Sequence, residues 1–411
     1  MRWLRALYFS NGLAVGSLYG FIPVLLASKG FDPALVGVAT SLGSASYTLA
    51  LPAWGHVGDT ITGPRRALQL ACLPAAVFAL GLSAPLPVIA IILCQVGLSI
   101  GSGPAMALTD AMAVPMLEDA SREYSRLRLL TSSAAAASAA GCGALYTITG
   151  YGAAPVAYLF VIAATLISVH FVTLGREPNR PEPIALAPAS LTDSEAAALP
   201  RRTRGGSVGE TFAVRPRMYG ILLSVVLIFI GVMAAGTYVT LRITDLGGGP
   251  VGVGLSNAMA WSAEVPGMIL AGWLIARFGA RSVLAVSSTG FAVCIGSWVV
   301  LADLVSISIT RFASGIFFAG VFVSFVLTIS AILPPRLQST GQTLLQAACF
   351  GFAAVVANLV GGLLYQGFGP VGVFGGGALS AALGGLVGLL VLPSQSEQET
   401  VSPIPPSPSL A

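Results

Sequence analysis

Glu264 is the residue in this sequence best suited to chemistry, because it stands in the middle of a long apolar run. The run covers residues 252–275 and includes the stretch NAMAWSAEVPGMIL. An ionised side chain at the centre of a membrane helix costs roughly 2.5–3.5 kcal/mol, so such residues normally face a polar cavity. A carboxylate held in this way can take up and release a proton. We predict proton exchange at Glu264, and a purely structural interhelical hydrogen bond is the alternative.

Two aromatic residues are candidates for the same cavity. Trp261 lies near Glu264 and is suited either to stacking on a ring-bearing solute or to plain packing. Tyr47 stands 217 residues before Glu264, which is the offset of an internal repeat described below. The repeat predicts that Tyr47 also faces the central cavity.

A second charged pair is formed by Asp110 and Arg128. Asp110 lies near the end of the fourth apolar run, and Arg128 opens the fifth within REYSRLRLL. Antiparallel helices joined by a short loop would bring the two side chains to similar depth. An ion pair there could be broken by a substrate or a proton and so act as a switch. Alternatively, Arg126 and Arg128 are anchors at the membrane surface.

The composition indicates a membrane protein. Hydrophobic residues make up 55% of the 411 positions and charged residues only 9%, whereas soluble domains carry about 25% charged residues. In lipid the backbone must satisfy its own hydrogen bonds, which leaves helices or a closed barrel. The runs are apolar throughout instead of alternating, so they predict helices.

Twelve apolar runs are long enough to cross a bilayer. The first is longer than the core of a signal peptide, so we interpret it as a transmembrane helix. The runs lie at about 6–28, 34–57, 66–84, 88–114, 129–149, 153–174, 219–243, 252–275, 282–302, 305–333, 343–365 and 371–392.

The distribution of basic residues predicts the orientation. With the N-terminus in the cytoplasm, all but three of the 20 Lys and Arg residues fall on the cytoplasmic side. The exceptions are Lys29, Arg242 and Arg311. Because positive charge is retained on the inside, we expect a multi-pass protein of the cell membrane, the inner membrane of a bacterium, with both termini cytoplasmic.

The chain consists of two similar halves. At an offset of 217 residues, small or turn residues coincide in pairs at matching places of the helix pattern. The predicted units are a six-helix bundle at 1–174, a polar cytoplasmic linker at 175–217, a second six-helix bundle at 218–393 and a disordered Ser/Pro-rich tail at 394–411. The coincident pairs are Gly30 with Gly247, Pro33 with Pro250, Gly37 with Gly254 and Gly55 with Gly272.

Several segments resemble one branch of the major facilitator transporters, which contains lactose permease, the nucleoside:proton symporters and the phenylpropionate permeases. They are GFIPVLLASKGFDPALVG, ALTDAMA with YSRLRLLTSS, SAEVPGMILAGWLIARFGAR and LPPRLQSTGQTLLQ. The resemblance implies a major facilitator fold with a site between the halves. It also implies substrate binding by Asp110 and Arg128 and proton coupling by Glu264. The tenth run has neither histidine nor carboxylate, so the proton relay of lactose permease is absent.

A repeated loop is similar to the loop signature of the same superfamily. The two copies read GHVGDTITGPRR and GWLIARFGAR. In that signature an acid pairs with arginines and caps a neighbouring helix, which holds one state of a gate. The alternative is an ordinary basic loop. The predicted gate residues are Gly55, Asp59, Arg65 and Arg66 in the first copy and Gly272, Arg277 and Arg281 in the second.

Together these features predict a secondary transporter of a small organic solute that works as a proton-coupled symporter. Efflux by proton antiport is the first alternative, and a membrane sensor that does not transport is the second. We expect no enzyme, because no nucleophile–base pair or HExxH motif occurs, and no ATP-driven pump, because no GxxxxGK[ST] loop occurs. The expected partners are the solute, protons and the lipid bilayer, with a monomeric chain and no nucleic acid, metal or cofactor.

Overall fold

The computed structural model describes residues 2–113, 116–117, 120–172 and 208–393. Within these ranges all regular elements are helices, and ten of them are long and apolar enough to cross a membrane. Thr340–Val391 is in fact two helices, because the backbone at Gly369 is not helical (φ 59°, ψ −150°). Ala120–Thr149, with 30 residues, is a further span. The predicted set of twelve membrane helices is confirmed.

The helices often extend beyond the apolar runs, since a helix continues into the membrane surface where polar residues and glycine are tolerated. A short helix, Val208–Val214, lies at the end of the predicted linker. The rest of that linker before residue 208 and the predicted tail lie outside the described residues. The spans are α1 Arg2–Ser28, α2 Pro33–Thr62, α3 Pro64–Ser83, α4 Val88–Ala113, α5 Ala120–Thr149, α6 Tyr151–Phe171, α7 Arg217–Asp245, α8 Gly249–Phe278, α9 Ala280–Ser297, α10 Leu304–Ile332, α11 (335–368) and α12 (370–391).

Polar caps start two of these helices. The Asp32 carboxylate accepts a hydrogen bond from the Leu35 N–H at 2.8 Å, and Pro33 occupies the first turn of α2. The Asp303 carboxylate does the same for Ser306 at 2.7 Å and begins α10. The backbone N–H of Ser306 lowers the pKa of Asp303, because it stabilises the ionised form. Both caps satisfy backbone donors that a helix start leaves unpaired.

Three spans contain a 3₁₀ or π-helical segment, and a fourth, α4, is interrupted by a turn between Ser102 and Ala105. In α1 a 3₁₀ turn at Tyr19–Phe21 separates two helical segments. In α2 the last turns, Val57–Thr62, are π-helical, and in α11 a π-helical stretch occupies Ala347–Phe352. Such interruptions are frequent at functional sites, because they redirect backbone and side chains within an otherwise regular helix.

The spans form two six-helix bundles. In the first bundle α1 packs on α5 and α6, while α3 and α2 pack on α4; in the second, α7 packs on α11 and α12, while α10 packs on α8 and α9. The two bundles meet along α2 with α11 and along α5 with α8. Because successive spans alternate in direction, the start of α1, the α2–α3 loop and the α8–α9 loop share one end, here called the arginine end.

Glycines allow the bundles to meet closely at the opposite end. A Cβ atom on Gly254 in α8 would overlap Ala139 O in α5, and one on Gly143 would come within 2.8 Å of Pro250 O. A Cβ atom on Gly37 in α2 would overlap Asn358 O in α11. These contacts close the end of the molecule away from the arginine end.

Candidate functional site

A cavity of about 330 Å³ lies between α1 of the first bundle and helices α7 to α11 of the second. Its walls are largely aromatic or aliphatic, with a small number of polar groups, as is usual for small-molecule sites. The lining residues are Tyr19, Gly20, Pro23, Val232, Met233, Gly236, Thr237, Asn257, Ala260, Trp261, Glu264, Phe291, Arg311, Ser314, Gly315, Phe318 and Phe350.

Glu264 and Trp261 both line this cavity. They are three residues apart on α8, a spacing that puts side chains on one helix face. Among the residues that the structure describes, no hydrogen bond or ion pair within 4.0 Å is made by the Glu264 carboxylate. Arg311 on α10 interacts with Glu264 electrostatically, over a distance greater than 4.0 Å.

Arg311 is the second charged residue of the cavity wall, and only 8% of it is exposed. Its Nη2 donates a hydrogen bond to Asn257 Oδ1 at 3.1 Å, whereas its buried Nε has no hydrogen-bond partner among the residues that the structure describes. The guanidinium also lies 5.7 Å from the ring centroid of Trp298, which gives a cation–π contact. The guanidinium of Arg311 is therefore a buried cation whose hydrogen-bond donors are only partly satisfied by the described residues.

Asn257 connects this group to the other bundle. Its Nδ2 donates to the carbonyl oxygen of Gly20 at 3.0 Å, at the 3₁₀ turn that interrupts α1. A Cβ atom on Gly20 would lie 2.8 Å from both Asn257 and Trp261, so α8 and α1 are in close contact there. Arg311, Asn257 and the α1 turn thus form one hydrogen-bonded line across the bundle interface.

Asp110 and Arg128 lie near each other on α4 and α5, but neither lines this cavity. Arg128 Nη2 is 3.9 Å from Asp110 Oδ2, and the side chains are 47% and 24% exposed. The Tyr8 hydroxyl donates to Asp110 Oδ1 at 2.5 Å. Tyr47 on α2 is half-buried and interacts electrostatically with Arg128. It does not line the cavity either. The candidate residues therefore form two groups, one in each bundle.

The loop residues occupy the arginine end. Arg65 donates to His170 O at the end of α6, and Arg277 lies over the rings of Trp273 and Phe278. Asp59 is exposed on the π-helical turn of α2.

The expected pairing of Asp59 with arginines is not seen in this structure. Asp59 makes no ion pair within 4.0 Å in the described part of the chain. Arg65 reaches the backbone of α6 instead, while the side chain of Arg66 borders a groove beside His170. No Cβ contact within 4 Å is found at Gly55 or Gly272, and Arg281 is half-buried.

Comparison with known proteins matches residues 1–375 to the model of the MFS_1 like family. The chain belongs to this family. It is therefore a major facilitator transporter and a multi-pass membrane protein, not an enzyme. Among curated proteins, maltose permease of Geobacillus stearothermophilus is 26% identical over 393 residues, which are 94% of this chain and 92% of the permease.

Solved structures share the fold of this MFS_1-like protein. The nucleoside transporter NupG has a TM-score of 0.73 at 13% identity, with 95% of this chain and 97% of that chain covered. The D-xylose-proton symporter has a TM-score of 0.68 at 15% identity, with 95% and 96% covered. At such low identity the similarity establishes the shared architecture, and confirms the fold that the resemblance implied.

Two residues of the cavity, Arg311 and Asn257, are not among the site residues predicted from the sequence. In the sequence, Arg311 stands out only as one of the three basic residues expected away from the cytoplasmic side, and Asn257 is one polar residue among several in the apolar runs. The signal for Arg311 was the same as for Glu264, an ionisable residue within an apolar run. Nothing in the linear pattern indicated that Asn257 lies between Arg311 and Gly20, because that proximity depends on how α1, α8 and α10 cross.

Proposed function

We propose that this transporter carries a small organic solute together with protons, and that it alternates between states open to either side of the membrane. Support comes above all from Glu264, an acidic side chain on the cavity wall for which no hydrogen-bonding partner is found within the described ranges. A carboxylate in that position can load a proton in one state and release it in the other. Arg311, on the facing helix, stabilises the ionised form.

The first bundle supplies the second part of the proposal. Asp110 and Arg128 lie toward the arginine end, and Tyr8 donates to Asp110. Tyr47 lies halfway along α2. We propose that Asp110, Arg128 and Tyr47 bind the solute or a proton in another conformation of the transport cycle. In that conformation the first bundle would lie closer to the cavity. The loop residues Asp59 and Arg65 would then pair in one of the two gate states.

Symport is favoured over proton antiport by the presence of two opposite charges in one cavity. Glu264 and Arg311 neutralise each other when Glu264 is ionised, so a protonated Glu264 leaves a net positive cavity that a co-transported solute can complement. Two of the similar proteins, maltose permease and the D-xylose-proton symporter, carry names that are consistent with uptake of small solutes. Both termini, in this proposal, are in the cytoplasm of a cell-membrane protein.

The test is a solute screen in proteoliposomes with an imposed pH gradient. For a transported solute, Glu264→Gln should abolish uphill accumulation, because an amide cannot carry the proton, while solute exchange at equal pH continues. Asp303→Asn is the matched control: it makes the same carboxyl-to-amide change, and asparagine caps a helix as well as aspartate does. If Glu264→Gln accumulates solute as steeply as the wild type, Glu264 does not couple transport to protons.

A further inference from the structure

The guanidinium of Arg311 is the most unusual group in the cavity. It is more than nine-tenths buried and lies on the cavity wall. Arginine offers five N–H donors in a planar fork, and here the one hydrogen bond found runs from Nη2 to Asn257. For Nε no hydrogen-bond partner is found in the described part of the chain. A buried cation is stable only when acceptors satisfy it, so this site can receive an acceptor that the described residues do not provide.

The charge balance limits what that acceptor can be. Among the lining residues, Glu264 and Arg311 are the two that carry charge, with Tyr19 as a further titratable group. Glu264 does not form an ion pair with Arg311 within 4.0 Å. One arginine balances one negative charge, whereas a phosphate near neutral pH carries up to two. A planar carboxylate fits the guanidinium fork in charge and in shape.

The remaining walls specify the body of the ligand. Five aromatic rings line the cavity together with Val232 and other aliphatic residues, those of Tyr19, Trp261, Phe291, Phe318 and Phe350. A sugar would need a hydrogen-bonding partner for each hydroxyl, and the polar wall groups that remain are few. Apolar rings instead favour a flat or aliphatic body, which gains by leaving water.

We infer that this transporter takes a small monocarboxylate with a ring or aliphatic body, whose carboxylate is bound by Arg311. The inference rests on the proposed function, because it names the solute class of the same cavity. Glu264 and the solute carboxylate then compete for one cation. When Glu264 is ionised, a second anion beside Arg311 leaves the cavity with a net negative charge at low dielectric. Protonation of Glu264 removes that repulsion, so a proton and a carboxylate bind together.

Binding to the purified full-length protein in detergent, measured by titration calorimetry, tests this without any gradient. The probes are benzoate and benzamide, which have the same shape and differ in charge. We expect benzoate to bind at least tenfold more tightly than benzamide to the wild type. This preference should disappear in Arg311→Gln and persist in Arg242→Gln, whose arginine lies outside the cavity and donates to Leu301 O. Equal affinity of the wild type for both probes, or a preference that survives in Arg311→Gln, overturns the inference.

A second measurement remains decisive if Arg311→Gln does not fold. From about pH 8 to about pH 6 benzoate stays ionised, and protonation of Glu264 should strengthen its binding to the wild type. Glu264→Gln should bind benzoate tightly and with no such pH dependence. A wild type without pH dependence contradicts the competition between Glu264 and the ligand.

The two proposals fail separately. If the protein prefers benzoate to benzamide but accumulates no solute uphill, the carboxylate site is supported and the proposed proton coupling is refuted. If the protein accumulates a neutral solute in response to a proton gradient and binds benzoate no better than benzamide, proton-coupled transport is supported and the carboxylate site is refuted.

Discussion

Asn257 is the residue that joins the charged cavity to the other bundle. Its amide uses both ends, accepting from Arg311 and donating to Gly20 O. No other residue type of this size offers an acceptor and a donor in that geometry. A ligand that binds Arg311 can therefore affect the α1 turn through Asn257. This turn belongs to the other bundle, so the contact links ligand binding to the arrangement of the two bundles.

Asn257→Ala should be destabilising, because it leaves the buried Arg311 without its acceptor and the Gly20 carbonyl without its donor. A buried group that loses its partner costs about 1–3 kcal/mol, so the thermal unfolding midpoint in detergent should fall by several degrees. The adjacent Ser256→Ala is the control, since the buried Ser256 Oγ has no hydrogen-bond partner among the described residues. Equal midpoints for the two variants would show that the Asn257 bonds contribute nothing measurable.

At the level of helices, the internal repeat of the sequence corresponds to repeated backbone geometry. Gly30 and Gly247 both have positive φ (87° and 79°) at the ends of α1 and α7. Gly63 and Gly279 begin α3 and α9 with nearly identical angles, φ 79° with ψ 155° and φ 80° with ψ 153°. Both angles lie in a region that side chains disfavour, so glycine is required there.

The extra residue in the first loop copy is absorbed by helix geometry. Gly55 precedes Gly63 by one residue more than Gly272 precedes Gly279. The last turns of α2, Val57–Thr62, are π-helical, and a π turn accommodates an inserted residue without ending the helix. Since α8 is α-helical to Phe278, the two loops can start α3 and α9 in the same way despite their different lengths.

Gly143→Ala tests the packing of α5 against α8. The added methyl group would lie 2.8 Å from Pro250 O and 3.0 Å from Gly254 Cα, so the two bundles would have to move apart at the end away from the arginines. We expect that end to open more often. Cysteines introduced there should then react faster with a membrane-impermeant maleimide, by severalfold.

Gly141→Ala, on the same helix, is the matched control. A Cβ atom at Gly141 meets nothing within 4 Å, and the change from glycine to alanine in a helix stabilises it by up to about 1 kcal/mol. Reaction rates should therefore stay at the wild-type value. Equal acceleration in both variants would mean that the glycine contact between α5 and α8 does not hold this end closed.

On the scale of the whole molecule, the orientation in the membrane is open to a direct test. In a variant without the five native cysteines, Asp303→Cys at the start of α10 should be labelled by an impermeant maleimide added to intact cells. Thr60→Cys, exposed in the loop at the arginine end, should be labelled only after the cells are opened. Labelling of Thr60→Cys in intact cells would show that the arginine end faces the outside, opposite to the proposed topology.

The number of spans, their repeat and the presence of ionisable residues within them could be predicted from the sequence. These features follow from the cost of exposing polar backbone or charge to lipid, which acts on each segment separately. The turn glycines and Asp32 likewise depend on local backbone angles and caps. Glu264 was therefore recognisable as a candidate before any contact was known.

Only the tertiary structure decides which candidates meet. It brings Glu264, Trp261 and Arg311 to one cavity and leaves Asp110 with Arg128 in a separate group, because side chains on different helices approach according to crossing positions and interruptions such as the α1 turn. It also separates Asp59 from Arg65, although they are six residues apart. Long-range contacts of this kind arise from the packing of α1, α8 and α10, and no periodicity along a single helix records them.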